Sequence, residues 1–126
     1  MADDGLAALA HDVTGSAMDV HRALGPGLLE SAYAKCLAHE LRHRNIPFVA
    51  EVEVAVLYRG ALINCHYRVD LLIADAIIVE VKAVDHLLPL HSAQLLTYMK
   101  LLKIRKGLLI NFNVEVLRAG LKSLVL

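Results

Sequence analysis

Three charged residues set inside two apolar, strand-like runs constrain this chain more than any other feature of its sequence. Asp70 lies between Val69 and Leu71 in the β-rich stretch Leu62 to Ile73, and Glu80 and Lys82 are embedded in Ile77-Ile-Val-Glu80-Val-Lys82-Ala83. Charged groups in such surroundings are costly unless paired, hydrogen-bonded or bound to a metal. The two-residue strand period puts Glu80 and Lys82 on one face. Asp70 stands directly opposite Glu80 on that face only if Ile73 faces Ile77 across a three-residue loop, Ala74-Asp75-Ala76; a two-residue loop sets Asp70 against Val79 and turns it away.

That register gathers two carboxylates and an ammonium at a sheet surface. The carboxylates suit a hard divalent cation such as Mg²⁺, which takes few protein ligands and keeps water and phosphate oxygens. Such an ion polarises a phosphoryl group and lowers the pKa of an attacking water, and Lys82 would orient that water or neutralise charge growing on the phosphate. The same residue types also suit a surface ladder of cross-strand charge pairs, with Arg68 opposite Lys82, so on their own they leave both readings open.

The rest of the chain surrounds these strands in an α/β pattern. Leu6, Leu9, Ala10, Val13, Ala17, Val20 and Leu24 recur at helical spacing, with Asp3 or Asp4 near the N-cap, until Gly25-Pro26-Gly27 stops the helix. Pro26 then favours the first turn of a second helix with the stripe Leu29, Ala32, Tyr33, Cys36, Leu37 and Leu41, ending near Asn45. From Phe48 the pattern alternates, Val52, Val54 and Val56 against Glu51 and Glu53. With a turn at Arg59-Gly60 and a third run from Ile77 to Val84, this predicts an antiparallel three-stranded meander. Pro89 opens a helix to about Lys103, Gly107 to Phe112 reads as a buried parallel strand, and Leu121 to Leu126 as an edge strand. At 126 residues the chain fits a single domain, 1–126.

Thirteen basic residues balance thirteen acidic ones, and the sequence pI is about 7.1, so a nucleic-acid partner must be met through local patches such as Arg42/Arg44 or Lys100/Lys103/Arg105/Lys106. Cys36 and Cys65 lack a partner pattern and are expected to be buried apolar fillers. No apolar run has the length of a membrane span and no secretory pattern opens the chain, which makes the cytoplasm the expected compartment.

The spacing of Asp70 from Glu80-Val81-Lys82 resembles the signature of the PD-(D/E)XK nuclease superfamily, and Gly27-Leu-Leu-Glu30-Ser-Ala-Tyr33 resembles the motif of its GxxExxY proteins. Val20-His21, Leu88-Pro-Leu, Gln94-Leu-Leu-Thr-Tyr98 and Gly107-Leu-Leu-Ile-Asn-Phe112 extend the likeness over most of the chain. Val69 stands where the superfamily's name has proline, a position that supplies backbone shape and no ligand. The resemblance implies an αβββαβ core, a mixed central sheet flanked by helices, preceded here by an extra N-terminal helix. It implies a metal-dependent nuclease acting on DNA, in which Asp70, Glu80 and the main-chain carbonyl of Val81 hold Mg²⁺ or Mn²⁺, Lys82 serves the nucleophile, and Glu30 completes the acidic site. Gln94 and Tyr98 match the QxxxY element of RecB-type nucleases and, with Tyr33, would organise the site or contact substrate. A homodimer is neither required nor excluded by these residues.

Two other functions fit parts of the sequence. A catalytically silent nuclease fold that binds nucleic acid or protein agrees with the neutral charge. His39-Glu40-Leu41-Arg42-His43 is a literal H-E-x-x-H on a helix, the spacing of zinc metalloproteases, although no third ligand can be picked from the sequence.

Overall fold

A computed structural model describes residues 3–126. The chain runs through α1 (Asp3–Leu24), α2 (Glu30–His43), β1 (Phe48–Tyr58), β2 (Ala61–Ile73), β3 (Ile77–Lys82), α3 (Pro89–Leu102), β4 (Lys106–Asn111), a short 3-10 turn (Leu117–Gly120) and β5 (Leu121–Val125). The strands form one mixed sheet in the order β1-β2-β3-β4-β5. β1, β2 and β3 are an antiparallel meander, β3 and β4 are parallel through α3, and β5 closes the far edge antiparallel to β4. This is the α/β architecture expected, with α1 as the additional N-terminal helix.

Alternation along β3 gives the sheet two cores. Ile77, Val79 and Val81 face α1 and α2, packing with Val13, Ala17, Tyr33, Leu37 and Leu41. Ile78 faces α3 and packs with Leu95, Met99 and Leu109. Because β3 and β4 are covered on both faces, they read as continuous apolar runs. Each fully buried aliphatic side chain contributes roughly 1.5–3 kcal/mol to holding the layers together. Among the described residues no helix is long and apolar enough to cross a membrane.

Several local expectations are corrected. α2 begins at Glu30 and not at Pro26, because Gly25 and Gly27 adopt φ of 66° and 109° and keep this stretch out of the helix. The stripe ends Leu24 and Leu29 are therefore 38% and 77% exposed. β3 stops at Lys82, two residues early, where the side chain of Asn111 takes over the main chain of Val84. Cys36 is only half-buried and Cys65 is exposed, since the β1–β2 hairpin runs out beyond the helices and every residue from 61 to 68 is exposed.

Candidate active site

The β2–β3 ladder pairs Ile73 with Ile77, Leu72 with Ile78 and Leu71 with Val79, then stops. At the next position side chains replace main chain. The Asp70 N–H donates to Glu80 Oε1 at 3.1 Å, and the Val81 N–H donates to Asp70 Oδ2 at 2.7 Å. The strand conformation points the Val81 carbonyl to the same side as its N–H, towards the carboxylates and away from β4. Arg68 does not face Lys82: it pairs with Glu53 on β1, so the surface charge ladder allowed by the sequence does not form there.

Asp70 also marks a change of face. Val69 packs in the α3 core whereas Leu71, two residues on, packs in the α1/α2 core. Across the hairpin Val52 pairs with Val69 and Ala50 with Leu71, and Glu51 between them sits at φ 54°. The left-handed Glu51 thus lies beside the point where β2 changes face, and the pairing on either side keeps one register. The consequence is an Asp70 side chain aimed along the sheet at β3.

Burial shapes the charge of this pair. Glu80 is buried, and desolvation, reinforced by the charge of Asp70, raises its pKa to about 7 against the opposing effects of the Asp70 N–H and Lys82. Asp70 is raised as well, first by desolvation and then by Glu30 and Glu51, while the Val81 N–H and Lys82 pull it down. Lys82, half-buried on the same strand face as Glu80, forms no ion pair among the described residues.

Glu30 reaches this edge from the start of α2, where its Oε1 accepts the Ala83 N–H at 3.4 Å. Its approach is set by Tyr33, which is fully buried and stacked on Phe112 with centroids 4.6 Å apart. The Tyr33 hydroxyl donates to the Gly25 carbonyl at 2.5 Å and accepts the Leu28 N–H at 3.2 Å, pinning the turn before Glu30. Tyr33 thus faces the protein interior and cannot touch a substrate. An open groove of about 750 Å³ runs from Asp70, Glu30 and Glu51 along α2, past Lys35 and Arg42.

On the other side of the sheet Tyr98 comes near Glu80. Its phenol is raised by burial first and next by the Glu80 charge. Gln94, one turn earlier on α3, is exposed in the same cleft.

Other candidates fall away from this edge. His39 and His43 are exposed, and Glu40 is held by Arg44 at 2.9 Å, so the H-E-x-x-H helix offers no free base. Arg44 is also paired with Asp19, which removes it from the basic patch, and Arg42 lies 5.1 Å over the Phe48 ring. Three residues beside the site were not picked out from the sequence: Glu51, Asn111 and Tyr67.

Among the described residues no three His, Cys, Asp or Glu side chains are grouped as a ready cage for a metal. Two dehydrated carboxylates, each with one oxygen on a main-chain N–H and with the charge of Asp70 raising Glu80, nonetheless fit a divalent cation that keeps most of its own water. The profile of the PD-(D/E)XK nuclease superfamily matches residues 7–124. No curated protein and no solved structure shows a significant match.

Proposed function

The chain belongs to the PD-(D/E)XK nuclease superfamily, and from this premise we propose that it is a single-domain, divalent-metal-dependent nuclease hydrolysing phosphodiester bonds in DNA. The observation that carries the reading is the interlocked Asp70–Glu80 pair at the end of the β2–β3 ladder. In this reading Asp70, Glu80 and the Val81 carbonyl hold Mg²⁺, with Mn²⁺ able to replace it, and Glu30 adds negative charge from α2. The ion would supply Lewis-acid polarisation of the phosphate and a more acidic water.

The chain's own residues do the rest. Their main-chain hydrogen bonds fix both carboxylates before substrate arrives, so little reorganisation is needed. Lys82, without an ion-pair partner, neutralises charge on the phosphate and orients water. Gln94 and Tyr98 line the α3 side, and Lys35 and Arg42 offer positive charge along the α2 groove to a DNA backbone.

The test is cleavage of linear, circular, branched and single-stranded DNA with Mg²⁺, Mn²⁺ or EDTA, by the parent, Asp70→Asn and Glu80→Gln proteins. Metal-dependent cleavage lost in both variants is expected. Cleavage that survives either substitution, or no cleavage of any DNA with either metal, overturns the reading; metal-independent binding without turnover would point to a binding module.

A further inference from the structure

Tyr67 belongs to none of the motifs that describe the site, yet it is connected to it. It lies on β2 three residues before Asp70 and pairs with Val54, whose side chain packs in the α3 core, so Tyr67 stands on the α3 face. There its ring meets that of Tyr98 at a centroid distance of 6.0 Å and a tilt of 48°. Tyr98 in turn packs against the core that holds Ile78, and Glu80, two residues on from Ile78, is carried on the same face of β3. Two aromatic rings therefore stand side by side on the α3 face of the sheet, the face of β3 that carries Glu80.

The cleft they line has a volume of about 190 Å³, with Leu90 and Leu101 as apolar walls and Gln94 as a polar group. None of its lining residues is charged, which makes it unsuited to phosphate. Tyr67 is 47% exposed, so part of its ring remains open to a ligand. Aromatic faces, apolar walls and a single amide match a nucleobase, and only a base outside a continuous duplex has a free face to stack. The cations Lys35 and Arg42 lie in the separate groove along α2, on the side where a backbone would run.

We propose that Tyr67, with Tyr98 beside it, forms a stacking site for an unpaired nucleobase, so that the preferred substrate is single-stranded DNA or an unpaired segment next to the scissile bond. The identity of the ligand rests on the nuclease reading; the stacking itself is tested separately.

Binding of a labelled short single strand and of the matching duplex is measured with Mg²⁺ in a Lys82→Ala background, where turnover is slow, adding Tyr67→Leu or Tyr67→Phe. Leu keeps apolar volume against Leu90 and Leu101 but removes the aromatic face, and Phe keeps that face. Tyr67→Leu should weaken single-strand binding by about ten-fold, the lower part of the range for one base–aromatic stack. Its salt dependence should match that of the parent, since no phosphate contact is lost. Duplex binding should be unchanged, Tyr67→Phe should bind as the parent does, and both variants should unfold at the parent temperature. Parent-like single-strand binding by Tyr67→Leu, an equal loss in Tyr67→Phe, or no single-strand binding by the background protein overturns the stacking site and leaves metal-dependent cleavage standing. A protein that never cleaves but loses single-strand binding in Tyr67→Leu keeps the stacking site and sinks the nuclease reading.

Discussion

Asp70 and Glu80 are locked into each other's strands: Glu80 accepts the main-chain N–H of Asp70, and Asp70 accepts the N–H of Val81. The pair substitutes for the main-chain hydrogen bonds the ladder would otherwise make, so the sheet itself positions the carboxylates. Holding two acids together in a dehydrated place opposes folding when both are charged, and that penalty is measurable.

The sign follows from the direction of the shifts. Glu80 is raised from 4.5 to about 7, and Asp70 is raised too. Between those values the folded chain keeps a proton that the unfolded chain has lost, so the contribution of Glu80 to stability is highest at low pH. It declines as pH rises from about 4.5 to about 7. In EDTA, Glu80→Gln should flatten this slope and stabilise the neutral-pH protein by roughly 2–3 kcal/mol at most. Denaturant unfolding across that pH range is the measurement; equal slopes for parent and variant would contradict the assignment. The same substitution should abolish metal binding, which in the parent should release protons near neutrality.

Lys82→Ala separates ligand from electrostatic roles. It leaves both carboxylates and the Val81 carbonyl in place, and removes the positive charge that lowers the pKa of Asp70 and Glu80. Metal affinity by calorimetry should persist or rise, while single-turnover cleavage falls by roughly 10²-fold or more. Parent-like cleavage from a preparation free of contaminating nuclease would rule out the role.

The register that brings Asp70 level with Glu80 was legible, because the three-residue loop sets Ile73 against Ile77; the direction of the Asp70 side chain was not, since β2 changes face there. What escaped the sequence depends on tertiary context. The local preference of Pro26 for a helix start is overridden by two glycines at positive φ. The turn-over at Glu51 breaks the alternation by which strands are read, which hid the approach of Glu51 to Asp70. Asn111 looked like one more residue of an apolar strand, and Arg44 like a free cation, because each has a partner distant in sequence: Val84 for one, Asp19 for the other.

Tyr33→Phe tests how the turn before Glu30 is held. The hydroxyl serves both the Gly25 carbonyl and the Leu28 N–H, and the buried ring itself would remain stacked on Phe112. Loss of the hydroxyl should destabilise the protein by about 1–2 kcal/mol and lower kcat through a misplaced Glu30. Unchanged stability together with unchanged kcat would show that the turn holds itself.

Asn111→Ala tests the other support of the site, the exit from β3. Asn111 is buried; its Oδ1 accepts the Val84 N–H at 3.0 Å and the Asn113 N–H at 3.2 Å, and its Nδ2 donates to the Val84 carbonyl at 2.8 Å. The neighbouring Phe112 N–H binds the Lys82 carbonyl at 2.9 Å, so β4 grips the chain on both sides of Ala83, whose N–H meets Glu30. Gly120 closes over the main chain at this point, where a Cβ would come within 2.1 Å of the Asn111 carbonyl oxygen. Removing the amide strands three main-chain groups and should cost about 1–3 kcal/mol in denaturant unfolding. Assayed well below its melting temperature, the variant should still bind metal at Asp70 and Glu80 but turn over between about ten- and a hundred-fold more slowly, because Lys82 and Glu30 lose their common anchor. Excess metal should not rescue it. Full kcat in a destabilised variant would make Asn111 a purely structural residue, and unchanged unfolding would remove the clamp from the account of how the site is held.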